Sequence, residues 1–490
     1  MRSLRLVALL AIPAQIAFGQ QPSPSAPGKS LSLEDAIATA QRNNPALHQT
    51  QNNVRNFDSQ VRSAYGALLP TASSGIRTTF NQGGTQYVNG VPLPGSNGDY
   101  YQSGYSVGLN YSLNASAAFA PRAAKAFRSA AEADVTSSAE FVRAQVTQNY
   151  ITALQSEALA AVLDSLVQTA AGQVNLVTAK MEAGAGTIID VRGAEVALGQ
   201  AQVIALTTHN QSLVDKLRLF QTMGVPSDTS TKLTTTFAVA RPSFSLDSVL
   251  DIARRANPDI AARKLRVDAS QLQVRVAQSN YLPSLNLNTG WGWNAFGYTD
   301  SEILALKAQA NAESAYNGCL RQDSLRVGAG LSHLNCGSPT LTPTQLADER
   351  AKNQPFKFSK SPFSLTATLS LPLFDGFRRE QQMQQARVNR DNAAYDLRAR
   401  QLQLETDVTQ YYLQLVTAAK TVELQTQIAA KAAEDLALNE ASYRVGAKTF
   451  LDVNTARATY EKTQIDRVNS IYEYHKAFAA LENAVGRPLR

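Results

Sequence analysis

The chain has 490 residues, of which 7% are aromatic and 17% are charged, and its formal net charge is +7. It contains four histidines and two cysteines, and its apolar residues are largely Ala, Leu and Val, a composition typical of long, closely packed helices rather than of an ordinary enzyme. Because the positive charges are spread along the chain, they do not indicate nucleic-acid binding.

The N-terminus has the pattern of a secretory signal peptide. Two arginines precede an apolar run, and small residues at Ala17 and Gly19 fit a cleavage site, so residues 1–19 are predicted to be removed. The alternative, a membrane anchor, is disfavoured because the run is well short of the ~20 residues that a spanning helix needs. Residues 20–30 are rich in Pro and Ser and are predicted to be a disordered leader.

The remaining chain repeats one order of elements. Ser32 is predicted to cap a helix that ends at Asn44-Pro45, and Ser245 and Asn257-Pro258 follow the same pattern 213 residues later. Three segments are therefore predicted: a first repeat (31–228), a linker (229–243) and a second repeat (244–490).

Four stretches of about ten residues alternate between apolar and small or polar side chains, which is the period of a β-strand. They lie at 71–80, 105–114, 285–293 and 363–371. This is the length that a tilted transmembrane strand needs, and four aromatic residues suit membrane interfaces. They are Tyr105, Tyr111, Trp291 and Trp293. The alternative is a soluble antiparallel sheet with one wet face.

Four strands cannot close a barrel, and open edges are not tolerated in lipid, so other chains are expected to complete the sheet. Two chains would give eight strands with a filled interior, whereas three would give twelve strands around an aqueous lumen. The Ser, Thr, Asn and Gly residues on the second face of the strands favour three chains.

Residues 294–360 are predicted to be a long external loop insertion with a short helix at 301–315. Cys319 and Cys336 lie close together within it, and in an exported protein such a pair indicates a disulfide, with two free thiols as the alternative. The cysteines lack ligand-motif spacing, so no metal and no cofactor are predicted.

Long helices are predicted at about 118–180 and 379–443, and each turns at a glycine and returns as a helical hairpin. The two hairpins match at one constant offset of 262 residues. Gly184, Thr187 and Asp190 of the first hairpin recur as Gly446, Thr449 and Asp452 of the second.

This doubled order of elements resembles the TolC-like outer-membrane efflux protein family (outer membrane factors). The strongest matches are the PLFDG motif at 372–376, the RVG motif at 444–446 followed by LDV at 451–453, and the Asn-Pro pair that begins each repeat. The resemblance implies an α+β membrane protein with four strands per chain. Three chains would form a 12-stranded outer-membrane barrel, continued by a long periplasmic α-helical coiled-coil barrel. It further implies a homotrimer in the outer membrane of a Gram-negative-type bacterium, with a periplasmic adaptor and an inner-membrane transporter as partners.

The resemblance also implies two sets of site residues. The hairpin tips, which would meet the adaptor, are Ala183, Gly184, Ala185, Val445, Gly446 and Ala447. The periplasmic gate would comprise Asp190, Tyr443, Lys448 and Asp452. An Asp–Lys pair with a tyrosine hydroxyl suits a breakable latch, since a partly exposed pair is worth roughly 0–1 kcal/mol. The favourable placement of an acid near a helix N-terminus is an alternative explanation for both aspartates.

The chain departs from the family pattern at two places. Thr455 stands where some members carry a second ring of aspartates, so weaker cation attraction is expected at the entrance. The first repeat lacks PLFDG after Tyr111, which leaves its strand-to-helix junction uncertain by a few residues.

These patterns favour a passive exit duct of a tripartite efflux or type I secretion system, opened by adaptor docking. The alternative is a structural periplasmic coiled-coil protein without a conducting pore, against which the outward apolar strand faces count. No nucleophile elbow, HExxH or convergent carboxylate set occurs, so no enzyme is predicted.

Overall fold

The computed structural model of the chain describes residues 30–84, 87–88, 91–92, 98–240, 243–354 and 357–489. The predicted signal peptide at 1–19 and all but the last residue of the predicted leader lie outside these residues. The helices are α1 (Leu33–Asn43), α2 (Pro45–Gly66), α3 (Ala115–Glu182), α4 (Ile188–Met223), α5 (Leu246–Ala256), α6 (Pro258–Ser279), α7 (Glu302–Gly328), α8 (Pro343–Ala351), α9 (Arg378–Arg444) and α10 (Phe450–Val485). None of these described helices is both long and apolar enough to cross a membrane.

The strands are far shorter than the helices. They are β1 (Ser30–Leu31), β2 (Thr71–Asn81), β3 (Tyr87–Val88), β4 (Val91–Pro92), β5 (Tyr100–Asn114), β6 (Lys232–Leu233), β7 (Ser284–Tyr298), β8 (Ser359–Lys360) and β9 (Ser364–Ser370).

The chain divides into two compact units. The helical unit comprises Met1–Asp58, Ala126–Ala269 and Asp391–Arg490. The sheet unit comprises Ser59–Lys125 and Ser270–Arg390.

The Asn-Pro pairs in the helical unit join two helices and fix them to a third. The Asn44 side-chain oxygen accepts two backbone N–H groups at the start of α2, at 2.9 and 3.2 Å, and its amide donates to the Thr222 carbonyl near the end of α4 at 2.7 Å. Asn257 likewise caps α6 and donates to the Ala484 carbonyl of α10 at 2.9 Å. An asparagine at these positions therefore satisfies helix-end groups that would otherwise lack partners.

The same junctions require a glycine where the returning helix ends. Gly224 and Gly486 cap α4 and α10 with φ of +73° and +84°. A Cβ at Gly224 would lie 2.4 Å from the Asn43 carbonyl oxygen, and one at Gly486 would lie 2.5 Å from Cδ of Pro258. Both the left-handed backbone and the close approach exclude a side chain.

The two largest buried apolar clusters among the described residues lie in the helical unit. One surrounds Tyr150, which is fully buried beside Val146, Phe220 and Met223 and donates its hydroxyl proton to the Leu31 carbonyl at 2.8 Å. The other surrounds Val408 and includes Leu415, Tyr474, Leu481 and Val485. The predicted N-cap Ser32 is confirmed, since its hydroxyl accepts the Asp35 N–H at 3.1 Å.

The sheet unit contains an antiparallel sheet in the order β2–β5–β7–β9, with β8 also pairing with β7. Tyr105 lies opposite Ile76 on one side and Trp293 on the other, and Leu285 lies opposite Leu369. Directly paired residues share a face, so Val107, Trp291 and most other apolar positions lie on one face, and most Ser, Asn and Gly positions lie on the other. Ile76 is 84% exposed and Leu369 is 73% exposed, so the apolar face is uncovered.

The segment 294–360 is more ordered than expected. β7 continues to Tyr298, and the predicted 301–315 helix extends over the whole of α7 and is followed by α8. The segment therefore contains helices where irregular loop structure was expected, and its place as an external insertion stays a prediction. α7 buries only Ala305 among its residues, so it lacks the apolar periodicity by which a helix is recognised in a sequence. A disulfide joins Cys319 of α7 to Cys336.

The two strand-to-helix junctions differ. β5 passes directly into α3, and the Asn114 side chain accepts the Ala117 N–H at 2.6 Å as a cap. Between β9 and α9 the PLFDG segment instead makes a turn in which Gly376 and Phe377 both have positive φ, +69° and +64°. The first repeat does not need a PLFDG motif because an asparagine side chain starts its helix.

Candidate functional site

The two helical hairpins of the helical unit turn in the same way. Gly184 and Gly446 adopt φ of +71° and +79°, and each follows the last turn of its long helix. In the first turn the Ala185 N–H donates to the Lys180 carbonyl at 2.8 Å, and in the second the Ala447 N–H donates to the Ser442 carbonyl at 2.9 Å. This bonding is the Schellman motif, which needs a left-handed residue and ends the helix abruptly.

Each returning helix then starts with a capping box. The Asp190 carboxylate accepts from the Thr187 backbone N–H at 3.1 Å and from its hydroxyl at 2.7 Å, while the Thr187 hydroxyl oxygen accepts the Asp190 N–H at 3.2 Å. Thr449 and Asp452 repeat this arrangement at 2.9, 2.8 and 3.3 Å. Both aspartates therefore have a local structural role as helix caps.

The predicted tip residues are exposed. Ala183 and Ala185 face solvent beside Gly184, and Val445 is 81% exposed next to Gly446 and Ala447. The first residues of the returning helices add further apolar surface, because Ile189 is 78% exposed and Leu451 is 71% exposed. The two turns thus present uncovered apolar side chains in a part of the chain where the backbone is held firmly.

Among the predicted gate residues, electrostatic interactions link Asp190 to Tyr443 and Lys448 to Asp452. Burial, and next the nearby Asp190 charge, raise the pKa of Tyr443, whose side chain is among the buried ones. The Thr449 backbone hydrogen bond, then the Thr449 hydroxyl and the charge of Lys448, lower the pKa of Asp452. Within the described part of this single chain, Asp190 and Lys448 form no ion pair with each other.

Sequence reasoning missed Lys180. Its ammonium donates to the Tyr443 carbonyl at 2.6 Å and lies 3.6 Å from the centre of the Tyr443 ring. It therefore links the first hairpin to the second. The position 262 residues later is Ser442, so the repeat gave no signal for it.

Arg457 was also missed. It is 6% exposed, and its guanidinium donates to Glu440 at 2.6 Å and to Gln173 of α3 at 3.1 Å. This contact joins α10 both to its own hairpin partner α9 and to the first hairpin. A buried arginine needs such partners, because an unpaired buried charge is costly.

The predicted membrane-interface aromatics lie in the sheet unit. Tyr105 and Trp293 are cross-strand partners that stack at 4.6 Å with an interplanar angle of 9°. Trp291, opposite Val107, contacts the Phe363 ring at 5.2 Å, and Tyr111 lies opposite Leu287. All four lie on the apolar face.

The described residues contain no group of three or more His, Cys, Asp and Glu side chains arranged to hold a metal ion.

Comparison with known proteins identifies the family. The family model described as outer membrane efflux protein matches residues 36–225 and 339–487. The chain is 22% identical over 304 residues to outer membrane protein TolC of Salmonella enteritidis, which covers 62% of this chain and 52% of that protein. It is 25% identical over 265 residues to the probable efflux pump outer membrane protein SepC of Pseudomonas putida, covering 53% and 54%. The chain thus spans about half the length of these relatives.

Solved structures extend the likeness over nearly the whole chain. The outer membrane protein VceC of Vibrio cholerae superposes with a TM-score of 0.69 at 18% identity, covering 94% of this chain and 97% of that one. The MtrE outer membrane channel of Neisseria gonorrhoeae, solved in its open state, gives a TM-score of 0.66 at 14% identity, covering 96% and 95%. At these identities the likeness shows a shared fold. With the family model matched in both halves, the chain belongs to the outer membrane efflux protein family.

Proposed function

We propose that the chain is one of three identical subunits of an exit duct that carries cargo out through the outer membrane. The duct would serve a tripartite efflux or type I secretion system, together with a periplasmic adaptor and an inner-membrane transporter. As a member of its family the chain is an outer membrane protein. The observation that carries the proposed pore is the sheet with one uncovered apolar face and one polar face.

The sheet edges support assembly with further copies. Among the described residues, β2 pairs only with β5, and β9 pairs only with β7, so each end of the sheet has unpaired backbone groups. Unpaired N–H and C=O groups cost several kcal/mol each in hydrocarbon. Three copies would pair β2 of one with β9 of the next, giving twelve strands with the polar face around a water-filled lumen.

Exposed apolar stripes on α4 and α9 support the same assembly in the helical unit. Inside one chain, α3 lies against α10, as the Gln155–Asn469 hydrogen bond of 2.8 Å shows. Each stripe consists of solvent-exposed apolar residues. Successive residues in a stripe are 3, 7, 11 or 14 positions apart, which are spacings found in supercoiled helices. The stripe residues are Ile189, Val196, Val203, Leu206 and Leu213 on α4, and Tyr395, Leu402, Leu413, Leu424 and Leu438 on α9. A second copy that packs its α9 against α4 of the first would bury both stripes.

In this arrangement residues 31–228 and 244–490 form the two repeats, 229–243 links them, and residues 1–19 are the export signal. The exposed hairpin tips at 183–185 and 445–447 form the adaptor-docking surface. The gate comprises Asp190, Tyr443, Lys448 and Asp452, and its Asp190–Lys448 pair joins neighbouring copies. Docking opens it because several weak contacts yield together.

The test compares lysine substitutions on the two faces of one strand. Leu365 lies on the apolar face of β9 and is 63% exposed, whereas its neighbour Thr366 lies on the polar face. Leu365→Lys should reduce trimer recovered from the outer membrane, because a lysine facing lipid costs roughly 2–4 kcal/mol at the bilayer midplane. Thr366→Lys, the matched control, should assemble normally and change the ion selectivity of single channels in planar bilayers.

Equal tolerance of both substitutions would contradict a lipid-facing sheet. Recovery of the unmodified protein from the periplasm without detergent, with no conductance in bilayers, would instead favour a structural coiled-coil protein without a pore.

A further inference from the structure

Lys180, which is not one of the predicted gate residues, makes a direct contact between the two hairpin ends. This residue lies in the last turn of α3, and its ammonium reaches across to the end of α9. There it meets two acceptors of one residue: the Tyr443 carbonyl at 2.6 Å and the face of the Tyr443 ring, whose centre is 3.6 Å away.

The acceptor carbonyl belongs to the second turn itself. Tyr443 O also accepts the Gly446 N–H at 3.2 Å, which is one of the two hydrogen bonds of that turn. Carbonyls in the last turn of a helix carry the negative end of the helix dipole, so a cation placed there is stabilised. A cation over an aromatic face adds attraction, more so where water is partly excluded, and Tyr443 is only 8% exposed.

The backbone of Lys180 belongs to the first turn. Its carbonyl accepts the Ala185 N–H at 2.8 Å, the bond that closes the first turn. One residue therefore takes part in both turns, through its backbone in one and its side chain in the other. Among the described residues no carboxylate forms an ion pair with Lys180, so removing its charge leaves no acid without its partner.

We propose that Lys180 is a positioning residue of the gate, which holds the turn of the second hairpin against the first hairpin within one subunit. We call the contact of the Lys180 ammonium with the Tyr443 carbonyl and ring the tie. The inference rests on the proposed function, because it assigns the tie a part in keeping the entrance narrow. It differs from the predicted latch in its donor, which is an ammonium of the first hairpin, and in its acceptors, which are the Tyr443 carbonyl and ring rather than the hydroxyl.

The experiment compares Lys180→Met with Lys180→Arg and Lys431→Met in the full-length trimer. Methionine keeps the length and apolar stem of lysine, and arginine keeps the charge and hydrogen-bonding capacity. Lys431 is the matched control, because it lies on α9, its side chain is 79% exposed and it pairs only with the nearby Glu434 among described residues.

Two readouts are taken from each variant. Hydrogen exchange followed by mass spectrometry reports on the turns, and single-channel conductance in planar bilayers reports on the entrance. In Lys180→Met, exchange should rise on the order of tenfold at 441–447, in the other hairpin, since a charge-assisted hydrogen bond is lost. Exchange at 183–187 should stay unchanged, because the first turn uses only the Lys180 backbone. Conductance should rise, Lys180→Arg should restore most of both effects, and Lys431→Met should match the unmodified protein.

The outcomes distinguish failure of the proposed Lys180 contact from failure of the proposed channel function. Increased exchange at 441–447 in a protein that forms no channel at all would support the tie and overturn the proposed function. A conducting protein in which Lys180→Met leaves exchange at 441–447 unchanged overturns the tie and leaves the duct intact. Increased exchange with unchanged conductance overturns the part in gating.

Discussion

The capping box at the start of α4 allows the two roles of Asp190 to be measured separately. Its carboxylate accepts two hydrogen bonds from Thr187, and the Thr187 hydroxyl oxygen accepts one from the Asp190 backbone. Replacing the N-cap threonine by alanine removes that acceptor, at a cost of about 0.5–2 kcal/mol. Asp190→Asn keeps an oxygen that can accept the same bonds and removes only the charge. Near a helix N-terminus that charge is worth about 0.3–1 kcal/mol.

The two variants should therefore rank in opposite orders in two assays. In thermal unfolding of the trimer, Thr187→Ala should be less stable than Asp190→Asn. In planar bilayers, Asp190→Asn should raise conductance more than Thr187→Ala does, because in the proposed assembly the Asp190 charge, and not the cap, would attract Lys448 of a neighbouring copy. A partly exposed ion pair contributes roughly 0–1 kcal/mol. A measurable rise in conductance therefore needs the loss of this pair in all three subunits.

A third capping box provides the control. Thr342 and Gln345 form the same arrangement at the start of α8, in the sheet unit. Thr342→Ala removes the same kind of cap without touching a hairpin, so it should lower stability and leave conductance unchanged. If the variant that destabilises the protein more, Thr187→Ala, is also the variant that raises conductance more, Asp190 is a helix cap only and the latch is refuted.

Three further predictions follow from other contacts. The backbone hydrogen bond from the N-cap lowers the pKa of Asp452 in the folded state. The Asp452 carboxylate therefore stabilises the fold above its unfolded pKa of about 3.9, and this stability is lost as pH falls through the lower folded pKa. Melting curves should show the difference in stability between the unmodified protein and Asp452→Asn disappearing in acid. Arg457→Met should lower the free energy of unfolding by roughly 2–3 kcal/mol, because it removes charge-assisted bonds to Glu440 and Gln173; Glu440→Gln, which keeps an acceptor, should cost less in the same denaturation series. Reducing the Cys319–Cys336 disulfide, which spans 17 residues, should destabilise the closed segment by about 3 kcal/mol and expose it to limited proteolysis, whereas conductance should not change.

The parts of the fold that could be predicted depend on local chemistry. The glycine turns, the N-cap Ser32 and the alternation of the strands are each determined by residues within a few positions of one another. The Asn-Pro pairs were recognised as breaks, but their second role was not. The bond from Asn44 to the Thr222 carbonyl spans 178 residues, and no spacing in a single sequence encodes it.

The same limit applies to the site. Lys180 and Tyr443 are 263 residues apart, and Arg457 and Gln173 are 284 residues apart. Lys180 and Gln173 are common residue types on helices. In a sequence, such residues are ordinarily interpreted as solvated side chains. The length of α7 was underestimated for a different reason, because this helix buries only Ala305 and its sequence lacks apolar periodicity.

The two hairpins are alike where they turn and unlike where they contact each other. The glycine turn and capping box occur in both, so equivalent hydrogen bonds hold both turns. The tie occurs once: Lys180 has Ser442 at the equivalent position, and Tyr443 has Met181. The lysine ammonium is complementary to the tyrosine carbonyl and ring that it contacts. Because Ser442 and Met181 cannot form the reciprocal contact, divergence between the two repeats confines this contact to one direction, and in the proposed duct it is a contact that a docking partner would have to break.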